Sequence, residues 1–413
     1  MKKGWEQIKL GEACSLISRG IAPRYIESGG LAVINQKCVR DHEISYELCR
    51  RHDAAAKAVD KERYVRVGDV LVNSTGTGTL GRVAQVRKEP KEPTTVDTHV
   101  TIVRPKPNRF YADFFGYMLM KIEDEITKSG EGASGQTELA RTTLQRKFDV
   151  SFPTSLAEQQ CIVTILDEAF TGLATATANA EKNIRNVREL FNSFLCLIFG
   201  KKREGWKDKS LDEVAMQFGR GKSKHRPRND PSLYGGKYPF IQTGDVRNAD
   251  RLIVEYSQTY NEKGLKQSKL WPKGTICITI AANIAETCIL GFDACFPDSV
   301  IGMVVDPHQT NNKFVEYLLQ FFKGVLQAQG KGSAQDNINL TTFETQKFPF
   351  PSVDVQNALV ERLDAMAEEA RRLEGVYLAK LASIAELKQS LLREAFSGRL
   401  TSPPTRAVNE AAE

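Results

Sequence analysis

One long amphipathic helix, written twice, dictates the architecture of this chain. Ile162, Leu166, Ala169, Leu173, Ala176, Ala180, Asn183, Val187, Leu190, Phe194 and Leu197 succeed one another at spacings of four and three, which is a heptad seam. Displacing each number by 197 gives Leu359, Leu363, Met366, Ala370, Leu373, Tyr377, Lys380, Ile384, Leu387, Leu391 and Glu394. The first run opens at Ser155 with Glu158 three residues later, a capping box after Pro153, and closes on Phe199-Gly200. Its twin opens at Ser352, where Val355 replaces the glutamate, and closes on Phe396-Ser397-Gly398, with glycine where a left-handed C-cap is expected. Roughly 45 residues at about 1.5 Å each make a rod of about 65 Å, whereas soluble helices average about three turns. A stripe that long needs an equally long partner, and the other copy supplies it. Two unrelated amphipathic core helices would not share one displacement. Asn183 and Lys380, polar at seam positions, are expected to fix the register.

The segments between the helices repeat as well. Gly4-Trp5, Leu10, Glu12 and Arg19-Gly20 match Gly205-Trp206, Leu211, Glu213 and Arg220-Gly221 at a displacement of 201. Looser matches follow in order: Gly29-Gly30 with Gly235-Gly236, Val39-Arg40 with Val246-Arg247, Asp97 with Asp298. The helices stay alike while the domains diverge, so the scaffold is repeated and the working surfaces differ. Short β-branched runs bounded by Gly, Pro or Asp predict strands at 32–34, 70–73, 82–86 and 100–103, and again at 276–280, 287–290 and 301–305. Helical segments are predicted over 112–128 and 313–327. The expected class is α+β: two mixed α/β domains separated by a long antiparallel two-helix coiled coil, an internal tandem repeat with pseudo-two-fold symmetry. The predicted boundaries are a first domain 1–152, a spacer helix 153–200, a second domain 201–350, a second spacer helix 351–398 and a loose tail 399–413, where Ser402-Pro403-Pro404 disfavours helix.

Familiar catalytic signatures fail. Gly76-Thr77-Gly78-Thr79-Leu80-Gly81 matches the dinucleotide-binding glycine pattern and follows a predicted strand, but a second strand and Pro90 follow where a helix must begin. It reads as a hairpin tip. Gly221-Lys222-Ser223 resembles a phosphate loop, yet Met216 stands where the first glycine belongs. The five histidines are scattered, no C-x-x-C pair occurs among eight cysteines, and no metal site is expected. The cysteines read as reduced, the first residues carry no apolar signal core, and no run approaches the about 18 apolar residues of a membrane span, so the expected location is cytoplasmic. The greasiest segment, 191–199, reads as a buried helix end.

Charge points to a polyanion. The formal net charge is +6, which permits such a partner without demanding one. Arg220, Lys222, Lys224, Arg226 and Arg228 put five cations into nine residues broken by Gly221 and Pro227. Arg19 and Arg24, around Gly20 and Pro23 with Tyr25 beside them, hold the matching place in the first half. A solvated loop explains one such run; two at equivalent places favour phosphate contact, which releases counterions from a duplex. Reading bases calls for other groups, arginine toward guanine and asparagine or glutamine toward adenine. The candidates are Asn35, Gln36, Lys37 and Arg40 in the first half and Gln242, Thr243 and Arg247 in the second, with Ser74, Thr75, Thr77 and Gln136 and, opposite them, Asn283, Gln335 and Asn337 in polar loops.

The whole pattern resembles the specificity subunit of type I restriction-modification systems. The residues that carry it are Phe152-Pro153 to Gln159-Gln160, its twin Phe350-Pro351 to Gln356, the closing Leu391-Leu392-Arg393-Glu394-Ala395-Phe396-Ser397-Gly398-Arg399-Leu400, and the repeated Gly-Trp-x4-Leu-x-Glu openings. The central helix ends instead on Phe194-Leu195-Cys196-Leu197-Ile198-Phe199-Gly200. The resemblance implies two target-recognition domains, each reading half of a bipartite asymmetric DNA site, and helices that set the gap and dock modification subunits, two of them by expectation. It implies no catalysis in this chain: the modification subunits methylate adenine with S-adenosylmethionine, and restriction subunits translocate and cleave DNA with ATP and Mg2+. A stand-alone DNA-binding regulator or a decoy of methyltransferase subunits is the alternative, and would bind DNA without conferring methylation. An enzyme fused to its own reader would show activity in the purified chain alone.

Overall fold

The computed structural model describes residues 2–130, 137–201, 203–225, 227, 229–281, 284–331 and 338–401. Its contacts divide the chain into two units, Met1–Ala180 with the chain from Ala379 onward, and Glu181–Leu378. Each unit holds one mixed α/β domain and part of both long helices, Leu156–Phe199 and Val353–Phe396, of 44 residues each.

In the first unit an antiparallel sheet runs in the order Cys14–Arg19, Val100–Pro105, Val70–Asn73, Val83–Gln85. One face, with Val70, Val72, Val83 and Val103, packs on the helix Phe114–Lys121. The other, with Leu71, Ala84, Val100 and Ile102, packs on a second sheet through Ile34 and Val96. Side chains alternate across a strand, so a sheet covered on both faces needs the unbroken apolar runs seen in the sequence. The second sheet runs Thr94–Val96, Leu31–Ile34, Arg50–His52, Tyr25–Ile26. Trp5–Lys9 pairs antiparallel with Asp149–Pro153 and closes the domain where the first long helix begins.

Ile162, Val163 and Leu166 from the start of that helix share the core with Leu392, Ala395 and Phe396 from the end of the other, so the two pack antiparallel here. Fully burying each such leucine contributes about 1.5–3 kcal/mol. The Glu158 carboxylate does not reciprocate the Ser155 cap. It accepts instead from Lys2 Nζ at 3.1 Å, Trp5 Nε1 at 3.2 Å and Thr401 Oγ1 at 2.9 Å. Burial opposes its charge, but these donors prevail and hold its carboxyl below the usual range. Lys2 Nζ also reaches the carbonyl of Gly398, which has the expected left-handed conformation.

The second unit repeats the plan. Its larger sheet runs Ala215–Arg220, Val300–Val305, Ile276–Thr279, Thr287–Leu290, Leu252–Ile253, and its smaller one Gln258–Tyr260, Tyr234–Phe240, Ala294–Cys295, Leu270–Trp271. Lys207–Lys209 pairs with Phe348–Phe350 as the domain closure. Leu195, Ile198 and Phe199 meet Leu359, Val360, Leu363 and Ala367 beside Phe314 and Tyr317, again antiparallel. The greasy end of the first long helix is thus buried on one face only: Leu195, Ile198 and Phe199 are covered, while Leu197 is 64% exposed. That helix has one apolar window long enough, by length and composition alone, to cross a membrane.

The heptad seam needs correction. Leu190 is 58% exposed and Leu387 48% exposed, while Leu173, Phe194, Leu373, Ile384 and Leu391 are half-buried and Val187 is buried. From Ile162 through Leu166, Ala180 and Ile184 to Leu195 and Ile198, the buried positions of the first helix keep a period nearer 3.6 than 3.5. A straight helix drifts by about 20° per heptad, which carries Leu190 off the contact face. Lys380 is exposed and Asn183 half-buried, so Lys380 holds no seam position. The predicted helix over 112–128 is two, Phe114–Lys121 and Glu123–Lys128.

Candidate nucleic-acid interface

Both basic loops begin at a glycine that nothing else can replace. Gly20 N donates to Val100 O at 3.0 Å and Ile21 N to Val96 O at 2.9 Å; Gly221 N donates to Val300 O at 2.8 Å and Lys222 N to Phe296 O at 3.0 Å. A Cβ would stand 2.0 Å from Val96 O in the first case and 2.4 Å from Phe296 O in the second. The chain is therefore pressed against the adjoining strand end before it turns outward.

In the second domain Arg220, Lys222 and Lys224 are exposed. Ser268 Oγ fixes the loop on the Lys222 carbonyl at 2.7 Å, and His225 closes it on Asp230 at 2.8 Å. Lys269 lies 3.9 Å from the Trp271 ring centroid; burial, and then the charge of Lys222, lowers its pKa. Arg226 and Arg228 lie outside the described residues. Beyond the loop, Gln242 caps the short helix Thr243–Asn248 and donates from Nε2 to Gln258 Oε1 at 2.7 Å. Gln242, Thr243 and Gln258 line an open cavity of about 620 Å3 with Ser223, Asn229, Thr259 and Ser299. Arg247 faces elsewhere, into a cleft with Arg188, Arg371 and Glu374, so it does not join them.

In the first domain two candidates are corrected. Arg19 is held internally, paired with Glu138 at 2.6 Å and donating to Leu139 O at 2.8 Å. Ser74 is buried, 2.5 Å from Thr101 Oγ1. Arg24 and Lys37 are exposed, and Arg40 is exposed with Asp41 at 3.5 Å. Asn35 folds its own turn, accepting from Lys37 N at 2.9 Å and donating to Leu48 O at 3.1 Å. Thr75 Oγ1 meets His99 Nδ1 at 2.6 Å and Gln36 Oε1 at 3.4 Å beneath the tip that exposes Thr77, and Gly76, Gly78 and Gly81 give that hairpin its positive φ angles. Gln136, Asn283, Gln335 and Asn337 lie outside the described residues.

Sequence reasoning missed the Arg50 guanidinium, 3.3 Å from the Tyr25 ring centroid, with the tyrosine hydroxyl 3.3 Å from Asp97. Burial first, and then Asp97, pushes the Tyr25 pKa up. It also missed the anchors that hold each domain to its helices. Tyr117 donates to Asp167 with Arg87 beside it, and burial followed by that contact pushes Tyr117 up to about 12. Tyr317 donates to Asp364 at 2.8 Å, and Arg251 reaches Glu316 at 3.0 Å and Asp364 at 3.3 Å. The shared displacements, 200 for the tyrosines and 197 for the aspartates, were the available signal. A further link in the first unit runs from Lys388 Nζ to His42 Nδ1 at 2.9 Å and from His42 Nε2 to Glu123 at 2.6 Å. Among the described residues no group of three His, Cys, Asp or Glu is placed to hold a metal ion.

What the arrangement offers chemically is recognition: exposed cations beside polar side chains in each domain, on a duplicated frame. The family described as "Type I restriction modification DNA specificity domain" matches residues 2–184 and again 203–378. A Methanocaldococcus jannaschii protein named for the specificity subunit of the type I restriction enzyme MjaX is 24% identical over 397 residues, 91% of this chain and 90% of that protein. Two solved structures share the fold. One, from work on complex assembly and conformational transition of the type I R-M system, has a TM-score of 0.76 at 17% identity and covers 97% of this chain and 99% of that one. The HsdS subunit of Thermoanaerobacter tengcongensis has a TM-score of 0.53 at 18% identity, covering 97% and 98%. With two matches that together span most of its length, the chain belongs to the type I restriction-modification DNA specificity family.

Proposed function

We propose that this specificity subunit reads a bipartite asymmetric DNA site, one half through each domain, and confers that target on separate catalytic subunits. The observation that carries the reading is duplication of the frame with divergence of the surface. The same glycine approach opens both basic loops, while Arg19 is consumed internally and its counterpart Arg220 is exposed. Two different readers on one repeated frame suit two different half-sites. The expected partners are double-stranded DNA, two modification subunits that methylate adenine at N6 with S-adenosylmethionine, and restriction subunits that use ATP and Mg2+. The long helices set the uncontacted gap and dock the modification subunits, and the chain works in the cytoplasm without chemistry of its own.

The test is methylome sequencing of cells expressing this chain with its modification subunit, beside a chimera whose first domain is exchanged for a relative's. A bipartite motif that changes in one half only supports the proposal. A continuous motif, or no gain of methylation, overturns it.

A further inference from the structure

We infer that Gln258 reads an adenine in the half-site of the second domain, with Gln242 as its positioning residue; this deepens, and rests on, the function proposed above. Gln242 is pinned at the start of the helix, its backbone N–H donating to Asp245 Oδ2 at 2.8 Å and its backbone carbonyl accepting the Asp245 N–H at 3.1 Å. The Gln242 side chain donates from Nε2 to Gln258 Oε1 at 2.7 Å, which leaves the Nε2 of Gln258 as its unspent end. Gln258 is exposed, and its Nε2 has no partner among the described residues.

A held carboxamide with free N–H groups and one free oxygen lone pair complements N7 and N6 of adenine, and its oxygen would oppose O6 of guanine. The surroundings suit a base edge. Thr243 and Thr259 line the adjoining cavity with Asn229, and exposed Lys222 and Lys224 flank its wall at Ser223. Among the described residues of the first domain, the turn residue Asn35 instead spends its amide nitrogen on the Leu48 carbonyl at 3.1 Å.

The test compares the methylomes conferred by wild type, Gln258→Ala, Gln258→Glu and Gln242→Ala, each expressed with the modification subunit. The domain exchange above identifies which half-site belongs to which domain. Gln258→Ala is expected to make one A·T position of the second domain's half-site degenerate, a loss of discrimination on the order of ten- to a hundredfold, with the other half and the gap unchanged. Gln258→Glu should shift that position toward cytosine, whose amino group a carboxylate accepts. Gln242→Ala should relax the same position less. An unchanged motif in Gln258→Ala, degeneracy in the other half-site, or uniform loss of methylation by a folded Gln258→Ala protein overturns the assignment. A wild-type motif with no A·T pair in that half-site overturns it alone, whereas no wild-type motif overturns the function beneath it.

Discussion

Gln159 Oε1 accepts the backbone N–H of Tyr111 at 2.7 Å while its Nε2 donates to the Pro153 carbonyl at 2.8 Å. Gln356 repeats the clamp on Asn311 N at 3.1 Å and the Pro351 carbonyl at 3.0 Å. Both side chains are fully buried. Each joins the second turn of a long helix to the closing strand and to the loop before the domain's helix. Gln159→Ala should cost about 1–3 kcal/mol for each buried group left unpaired. Hydrogen exchange checks it: protection should fall around Tyr111 and not around Asn311, and the reverse for Gln356→Ala. Equal loss in both places would contradict two independent clamps.

The repeated frame was legible because it is written in residues that admit no substitute: the glycines at 20 and 221 and the apolar runs of the doubly covered sheets. Surfaces were less legible. Ser74 and Arg19 look like loop polar groups, and only contacts from Thr101 and Glu138, distant in sequence, reveal that the first is buried and the second already paired. Arg251 was missed because its counterpart anchor, Arg87, comes from a different place in the domain. At the position of Glu316 the first domain has Gly116, where a Cβ would lie 2.2 Å from Gln85 Oε1. A strict heptad count misplaced Leu190 and Leu387, because these helices bury a period nearer 3.6.

Glu316 is buried against Arg251, and burial outweighs that charge to raise its pKa. The folded state then holds the proton more tightly than the unfolded chain. This contribution is fully present below the ordinary glutamate value of about 4.3 and is lost as pH rises through the higher folded value. Urea midpoints measured across that window should therefore fall with pH, and Glu316→Gln should flatten the fall. Arg251→Ala strands the carboxylate and should cost about 3–5 kcal/mol near neutrality. A slope unaltered by Glu316→Gln would assign it to another group.

If the helices set the gap, length added to both should appear in the motif. Four residues inserted into each add about 6 Å, worth one or two base pairs at about 3.4 Å per step. Four residues are close to one turn, so the buried face is nearly restored beyond the insertion. The expected methylome keeps both half-sites and lengthens the gap between them. Altered half-sites with an unaltered gap would separate helix length from spacing.

Exposed Lys222 and Lys224 and the internally paired Arg19 give opposite expectations for salt dependence. Each phosphate neutralised contributes about 0.9 to the slope of log affinity against log salt. Lys222→Ala and Lys224→Ala should each lower that slope by about this amount, and weaken binding alike on cognate and unrelated duplexes, since phosphate contacts carry no sequence information. Arg19→Ala should leave the slope unchanged, because its guanidinium is already held by Glu138 and Leu139, and should register instead as lost stability in the first domain. Fluorescence anisotropy of the assembled complex on a labelled duplex, titrated with salt, distinguishes them. A slope that drops for Arg19→Ala and not for the lysines would mean that the first domain, not the loop after Gly221, carries the phosphate contacts.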